Sequence, residues 1–90
     1  MAEFEWDPAK NDANLAKHGI DFPTAARVFD GPILRVAPDR ESERRWLVIG
    51  AVSGREIVVV YTERAERIRI ISARRARTNE RREYRAIHPK

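Results

Sequence analysis

Ninety residues, 42% hydrophobic and 36% charged, make one small domain with a single modest core. The absence of cysteine excludes a disulfide framework, a thiolate metal site and a cysteine nucleophile. The apolar runs fall far short of the roughly 20 residues of a membrane span, and the acidic start, Met-Ala-Glu-Phe-Glu-Trp-Asp, lacks the form of a signal peptide, so a cytoplasmic location without a membrane partner is expected. The net charge of +4 is unevenly spread. Residues 1–43 carry five Lys and Arg against nine Asp and Glu, a balance of −4; residues 44–90 carry thirteen against five, a balance of +8. A basic half built from Arg suits bidentate recognition of phosphate. The alternatives are a solvated basic face or one that binds an acidic protein.

The chain begins with an alternating segment, Phe4 and Trp6 against Glu3 and Glu5, which reads as a short strand. Asp7-Pro8 then supplies an N-cap and a first helical residue, and the helix runs to about His18 before Gly19. Its apolar residues are Leu15 and three alanines, so it is expected to pack closely on a neighbour. A second helix starts at Asp21, with Phe22, Ala25, Ala26 and Phe29 on one face, and ends at Asp30-Gly31-Pro32. Residues 33–37 read as a strand closed by Pro38, and residues 39–43 as a charged loop. Residues 45–52, 57–62 and 67–73 read as three more strands, with Ser53-Gly54 as a hairpin turn and a polar link over 63–66. In strands 45–52 and 57–62 both alternating sets are apolar, so both faces should be covered. In 67–73 one face carries Arg67 and Arg69 and should be partly open. Thr78 is expected to cap a last helix that reaches about Ile87 and docks through Tyr84. The expected fold is α+β: an antiparallel sheet of about four strands, two N-terminal helices and one C-terminal helix, in a single domain over residues 1–90.

Arginines concentrate at the strand ends. In a hairpin Arg64 lies near Arg67, while Arg74 and Arg75 approach the Gly54–Glu56 end. Arg45 can join either group, depending on strand order. Such a cluster could neutralise a phosphate that gains charge during transfer, or could simply pair with Glu63, Glu66 and Glu80. His18 sits in a last helical turn, where a helix dipole favours it, and is also a candidate acid or base. Tyr84 fits core packing with an outward hydroxyl. Glu43 and Glu63 stand beside Arg45 and Arg64, which would lower their basicity. Metal-ligand spacings, glycine-rich phosphate loops and nucleophile motifs are not evident, so neither a metal nor a cofactor is expected.

Several blocks together carry a resemblance: Phe4-x-Trp6-Asp7-x-x-Lys10, Asn14-x-x-Lys17-His18-Gly19-Ile20-x-Phe22, Glu43-x-Arg45-Trp46-x-x-Ile49-Gly50, Val58-Val59-Val60-Tyr61-Thr62-Glu63-Arg64, Ile68-Arg69-Ile70-Ile71-Ser72-Ala73-Arg74-Arg75-Ala76 and Glu80-Arg81-Arg82-x-Tyr84. Over nearly its whole length the sequence resembles the BrnT family, toxins of type II toxin–antitoxin modules. Pro23-Thr24 stands where the family often has an acidic pair. The resemblance implies a RelE-like fold and a toxin that blocks translation by cutting RNA. It also implies a BrnA-type antitoxin, joined in a 2:2 complex that binds operator DNA through the antitoxin; the ribosome is a further candidate partner. By similarity to RelE-like toxins, the strand-borne basic residues map onto Arg45 and Arg64 and a C-terminal basic pair onto Arg74-Arg75. Tyr84 is an imperfectly spaced counterpart of their C-terminal Tyr.

The expected mechanism is metal-independent endoribonuclease action, with the RNA 2′-OH attacking the adjacent phosphate. The catalytic set is Arg64, Arg75, Arg45, His18 and Tyr84; Arg64 and Arg75 stabilise the phosphorane, and His18 or Tyr84 moves protons. Arg74, Arg67, Arg69 and Arg77 would hold RNA. The alternative is a non-catalytic basic domain that binds nucleic acid or a partner.

Overall fold

A computed structural model describes residues 3–36 and 45–89. Strand β1 (Glu3–Glu5) leads into helix α1 (Pro8–His18), helix α2 (Phe22–Ala26) and a 3-10 turn over Arg27–Asp30. Strands β2 (Ile33–Val36), β3 (Trp46–Val52), β4 (Arg55–Arg64) and β5 (Arg67–Arg75) follow, and helix α3 (Thr78–Ile87) ends the fold. The two N-terminal helices are capped as their sequences require. Asp7 accepts a 2.8 Å bond from the Ala9 N–H, and Asp21 accepts one of 2.9 Å from Thr24. These Thr24 bonds hold the Asp21 carboxyl below its ordinary value. Gly19, at φ 70°, takes the left-handed conformation that ends α1.

The sheet runs in the order β1-β5-β4-β3-β2. Among the described residues it contains five strands, the expected antiparallel four and β1, which adds to the edge of β5 in parallel, Phe4 opposite Ile68. The β3–β4 hairpin turns at Ser53 and Gly54, both with positive φ. Strands β4 and β5 extend further than their β-branched runs. The expected 63–66 link shrinks to a two-residue turn, Ala65-Glu66, with φ of 46° and 70°. Both residues pay the left-handed penalty that Asn or Gly would avoid. A bulge in β5 at Ile71 shifts the register between Val60 and Tyr61. Ala37, Pro38 and the loop 39–43, including Glu43, lie outside the described residues.

Two cores form, one on each sheet face. On the first, Val48, Val52, Ile57, Val59, Tyr61, Ile70 and Ala73 pack against Ile20, Phe22, Ala25 and Val28. Phe22 and Val28 are fully buried, each worth about 1.5–3 kcal/mol. Gly50 permits this approach: a Cβ there would stand 2.9 Å from the Val28 Cβ. On the second face Ile49, Val58 and Ala76 pack against Tyr84 of α3, with Leu34 and Leu47 at the margin. Tyr84 is the buried residue of α3, so this helix covers only part of its face.

Helix α1 docks differently from expectation. Leu15 is 49% exposed, and the buried residue is Asn14. Its Nδ2 donates to the Ile20 carbonyl (2.8 Å) and the Ala73 carbonyl (2.9 Å), and its Oδ1 accepts from the Ala73 N–H (3.2 Å). The helix is therefore fastened to β5 by an amide rather than by its alanines, since Ala9, Ala13 and Ala16 are all exposed. At the far end, Arg77 precedes α3 as its N-cap and Thr78 is its first residue, one position from expectation. Glu80 accepts the Arg77 N–H at 2.8 Å.

Candidate nucleic-acid interface

Strand alternation sorts the arginines by face, and register sorts them by end. From the Val59–Ala73 and Tyr61–Ile70 pairs, odd-numbered residues of β4 face α1 and α2, and even-numbered residues face the α3 side. Helix α3 stops short of one end of its face. That end carries Thr62 and Arg64 on β4 and Arg69 and Arg67 opposite them on β5. The β3–β4 register, continued one residue beyond Trp46–Tyr61, sets Arg45 opposite Thr62. Arg45, Thr62 and Arg69 thus form a row across three strands about 4.8 Å apart. Arg64 and Arg67 form the next row. Arg45, Arg64 and Arg67 are exposed, while Thr62 and Arg69 are half-buried.

These cations are not equivalent. Arg69 is bound to Glu5 at 2.8 Å, and Arg67 to Glu3 at 3.2 Å with Glu5 at 4.0 Å. Their partners come from β1 rather than from Glu63 or Glu66, a consequence of the parallel edge strand. Among the described residues Arg45 and Arg64 have no carboxylate partner, leaving two guanidinium groups available to a phosphate. Thr62 is the cross-strand neighbour of Arg45 and the same-face neighbour of Arg64 on β4. It was not singled out from the sequence, although alternation from Arg64 through residue 62 could have marked it.

On the reverse of the same end, Glu63 bonds Arg35 at 2.7 Å, and the Arg35 guanidinium carbon lies 3.6 Å from the centre of the Trp46 ring. Tyr61 is buried between them and Phe29, whose ring is 5.2 Å away. Burial raises the Tyr61 phenol above its ordinary value, opposed by the charge of Arg35.

The remaining candidates sit elsewhere. Arg75 pairs with Ile57, seven residues along β4 from Arg64, or about 23 Å, and points to the other face. There it lines a cleft of about 280 Å³ with His18, Thr24, Ser53 and Arg55. Arg64 and Arg75 therefore do not meet on one phosphate, and His18 belongs with Arg75. Arg74 is held by Glu80 through two bonds of 2.8 and 2.9 Å. This contact raises the Arg74 value and lowers that of Glu80. Arg77 is exposed at the start of α3. Tyr84 is buried, and its hydroxyl donates to the Pro32 carbonyl at 2.9 Å. Among the described residues no three His, Cys, Asp or Glu side chains gather as a metal site.

A sequence profile described as "Ribonuclease toxin, BrnT, of type II toxin-antitoxin system" matches residues 6–80. The chain belongs to the BrnT family. The fold agrees with a solved structure, the ribonuclease toxin BrnT of Brucella abortus, at a TM-score of 0.67 and 26% identity. That match covers 87% of this chain and all of the Brucella chain. The curated proteins provide no sequence match. As a BrnT-family member the chain is a ribonuclease toxin with an antitoxin partner and an RNA substrate.

Proposed function

We propose that this toxin cuts RNA at the Arg45–Arg64 end of the sheet, without a metal, and so inhibits translation. The observation that carries this reading is the pair of guanidinium groups beside Thr62 that have no carboxylate partner among the described residues, on sheet that α3 leaves uncovered. The RNA 2′-oxygen attacks the adjacent phosphorus and the bond to the 5′-oxygen breaks. The products carry a 2′,3′-cyclic phosphate and a 5′-OH. Charge builds on the non-bridging oxygens in between. Arg64 stabilises it, Arg45 orients the strand, and the Thr62 hydroxyl adds a neutral donor. One such donor is worth about 10²- to 10³-fold in rate. His18 and Tyr84 stand away from this end, so the proton of the 2′-OH leaves to water and the 5′-oxygen regains one from water.

Arg67 and Arg69 reinforce the positive field, although Glu3 and Glu5 partly neutralise them. A BrnA-type antitoxin in a 2:2 complex that binds operator DNA completes the proposal. The test is cleavage of end-labelled RNA by substoichiometric protein in EDTA. Cyclic-phosphate ends made by wild type and reduced about 10²-fold or more in Arg64→Ala support the mechanism. Cleavage that stops on adding EDTA removes metal independence, and equal cleavage by Arg64→Ala removes the site. RNA retention without turnover, even with translating ribosomes added, supports the non-catalytic alternative.

A further inference from the structure

Arg35 lies on the helix-covered face, behind the uncovered arginine end, and is 43% exposed at its side chain. It grips two residues from two different strands. Its guanidinium plane covers Trp46 of β3 at 3.6 Å, and its Nη2 bonds the Glu63 carboxylate of β4 at 2.7 Å. Arg45 directly precedes Trp46, and Arg64 directly follows Glu63. Side chains of adjacent strand residues point to opposite faces. The residues Arg35 grips are therefore the backbone neighbours of Arg45 and Arg64, seen from behind.

We infer that Arg35 is a positioning residue for the ribonuclease reaction: by tying Trp46 to Glu63 it fixes the relative placement of Arg45 and Arg64 across the β3 and β4 strand ends. This inference rests on the proposed site and deepens it.

The strand ends need such a tie. β3 begins at Trp46, directly after Arg45, and β4 runs only to Arg64 before its strained turn. The β3–β4 ladder ends at the Trp46–Tyr61 pair, so Arg45 and Arg64 lie beyond it and, although Arg64 still pairs with Arg67 of β5, no β3–β4 backbone pair sets their mutual distance. A guanidinium suits the task because its flat face stacks on the indole while its edge bonds the carboxylate. Lysine could keep the ion pair but would lose the flat stack. An exposed pair of this kind contributes little to global stability, so its effect should appear mainly in rate.

The experiment measures kcat and KM for labelled RNA with wild type, Arg35→Ala, Arg35→Lys, Arg64→Ala and the Arg35→Ala/Arg64→Ala double variant. Melting temperatures are recorded in parallel. Displacement by about 1 Å at a reacting centre costs up to about 10²-fold. Arg35→Ala is therefore expected to lower kcat about tenfold, with KM within about twofold and the melting temperature within about 5 °C. Arg35→Lys should fall between wild type and Arg35→Ala. The deciding comparison is the double variant, because residues that act through one another are not additive. With Arg64 already removed, losing Arg35 should change the rate by less than about twofold. A full tenfold loss in that background overturns the inference, as does wild-type kcat in Arg35→Ala. Equal cleavage by Arg64→Ala and wild type defeats the underlying site reading instead, so the two failures are distinct.

Discussion

The two ends of the sheet carry similar charge and very different structure. At one end Arg45 and Arg64 have no carboxylate partner among the described residues, on sheet that α3 does not reach, and Glu63 points to the reverse face, where it pairs with Arg35. At the other, Arg74 is locked to Glu80, Arg85 to Glu56, and Arg75 shares a cleft with His18 on the helix-covered face. An arginine count would rank the second end higher. What separates them is the partner each guanidinium already has. A cation whose hydrogen bonds are filled from within the fold supports that fold, and only an unfilled one can answer a phosphate.

The strongest way to break this contrast is to exchange the ends in an assay. Arg64→Ala should lose about 10²- to 10³-fold in RNA cleavage. Arg75→Ala and His18→Ala should stay within about threefold, as remote surface changes do. Equal losses at both ends would show that the RNA reaches both and that the division is wrong.

Next in size is the amide that secures α1. Asn14→Ala removes two donated bonds and one accepted bond, stranding the Ala73 backbone groups. It should cost about 2–3 kcal/mol, read as a lower midpoint in urea and faster hydrogen exchange at the Ala73 amide.

A smaller effect comes from the bidentate pair at the second end. Arg74 lowers the folded-state value of Glu80 from its ordinary 4.5. A depressed carboxylate contributes stability that is present above the unfolded value and lost as pH falls through the folded one. Stability should therefore decline below about pH 4.5, and less steeply in Glu80→Gln. An identical acid limb in that variant would mean the pair is structurally idle.

The smallest change sharpens the first end. Replacing Ala65-Glu66 by Asn-Gly relieves two left-handed residues and should add about 1 kcal/mol, with cleavage unchanged. Lost cleavage would show that the strained turn itself places Arg64.

Much of the architecture was legible because local signals agreed. Asp7-Pro8, Gly19, Asp21 and Ser53-Gly54 mark their boundaries, and the doubly apolar strands 45–52 and 57–62 predicted two covered faces. Three features escaped for physical reasons. The β1 strand joins in parallel, and three residues carry no signal of orientation. The Ala65-Glu66 turn lacks the Gly or Asn that would announce it. Asn14 looks polar and solvent-bound in a list of helix residues, yet tertiary contact buries it. For the site, alternation and hairpin geometry placed Arg64 with Arg67 correctly. The same geometry set Arg75 at the opposite end of the hairpin from Arg64, yet the expected mechanism put both on one phosphate, and only the structure shows that Arg74 is held by Glu80. The family resemblance supplied what neither pattern could, the nature of the substrate.

Asn14 has one more consequence. β1 covers β5 only from Arg67 to Arg69, so the stretch around Ala73 would otherwise present a bare donor and acceptor to solvent. A side-chain amide offers the same donor–acceptor pair as a peptide unit, and here it fills that gap as a counterfeit strand. Such an edge left open is a template on which a second chain can add. The residue that fastens the first helix therefore also closes this part of the edge to a further strand.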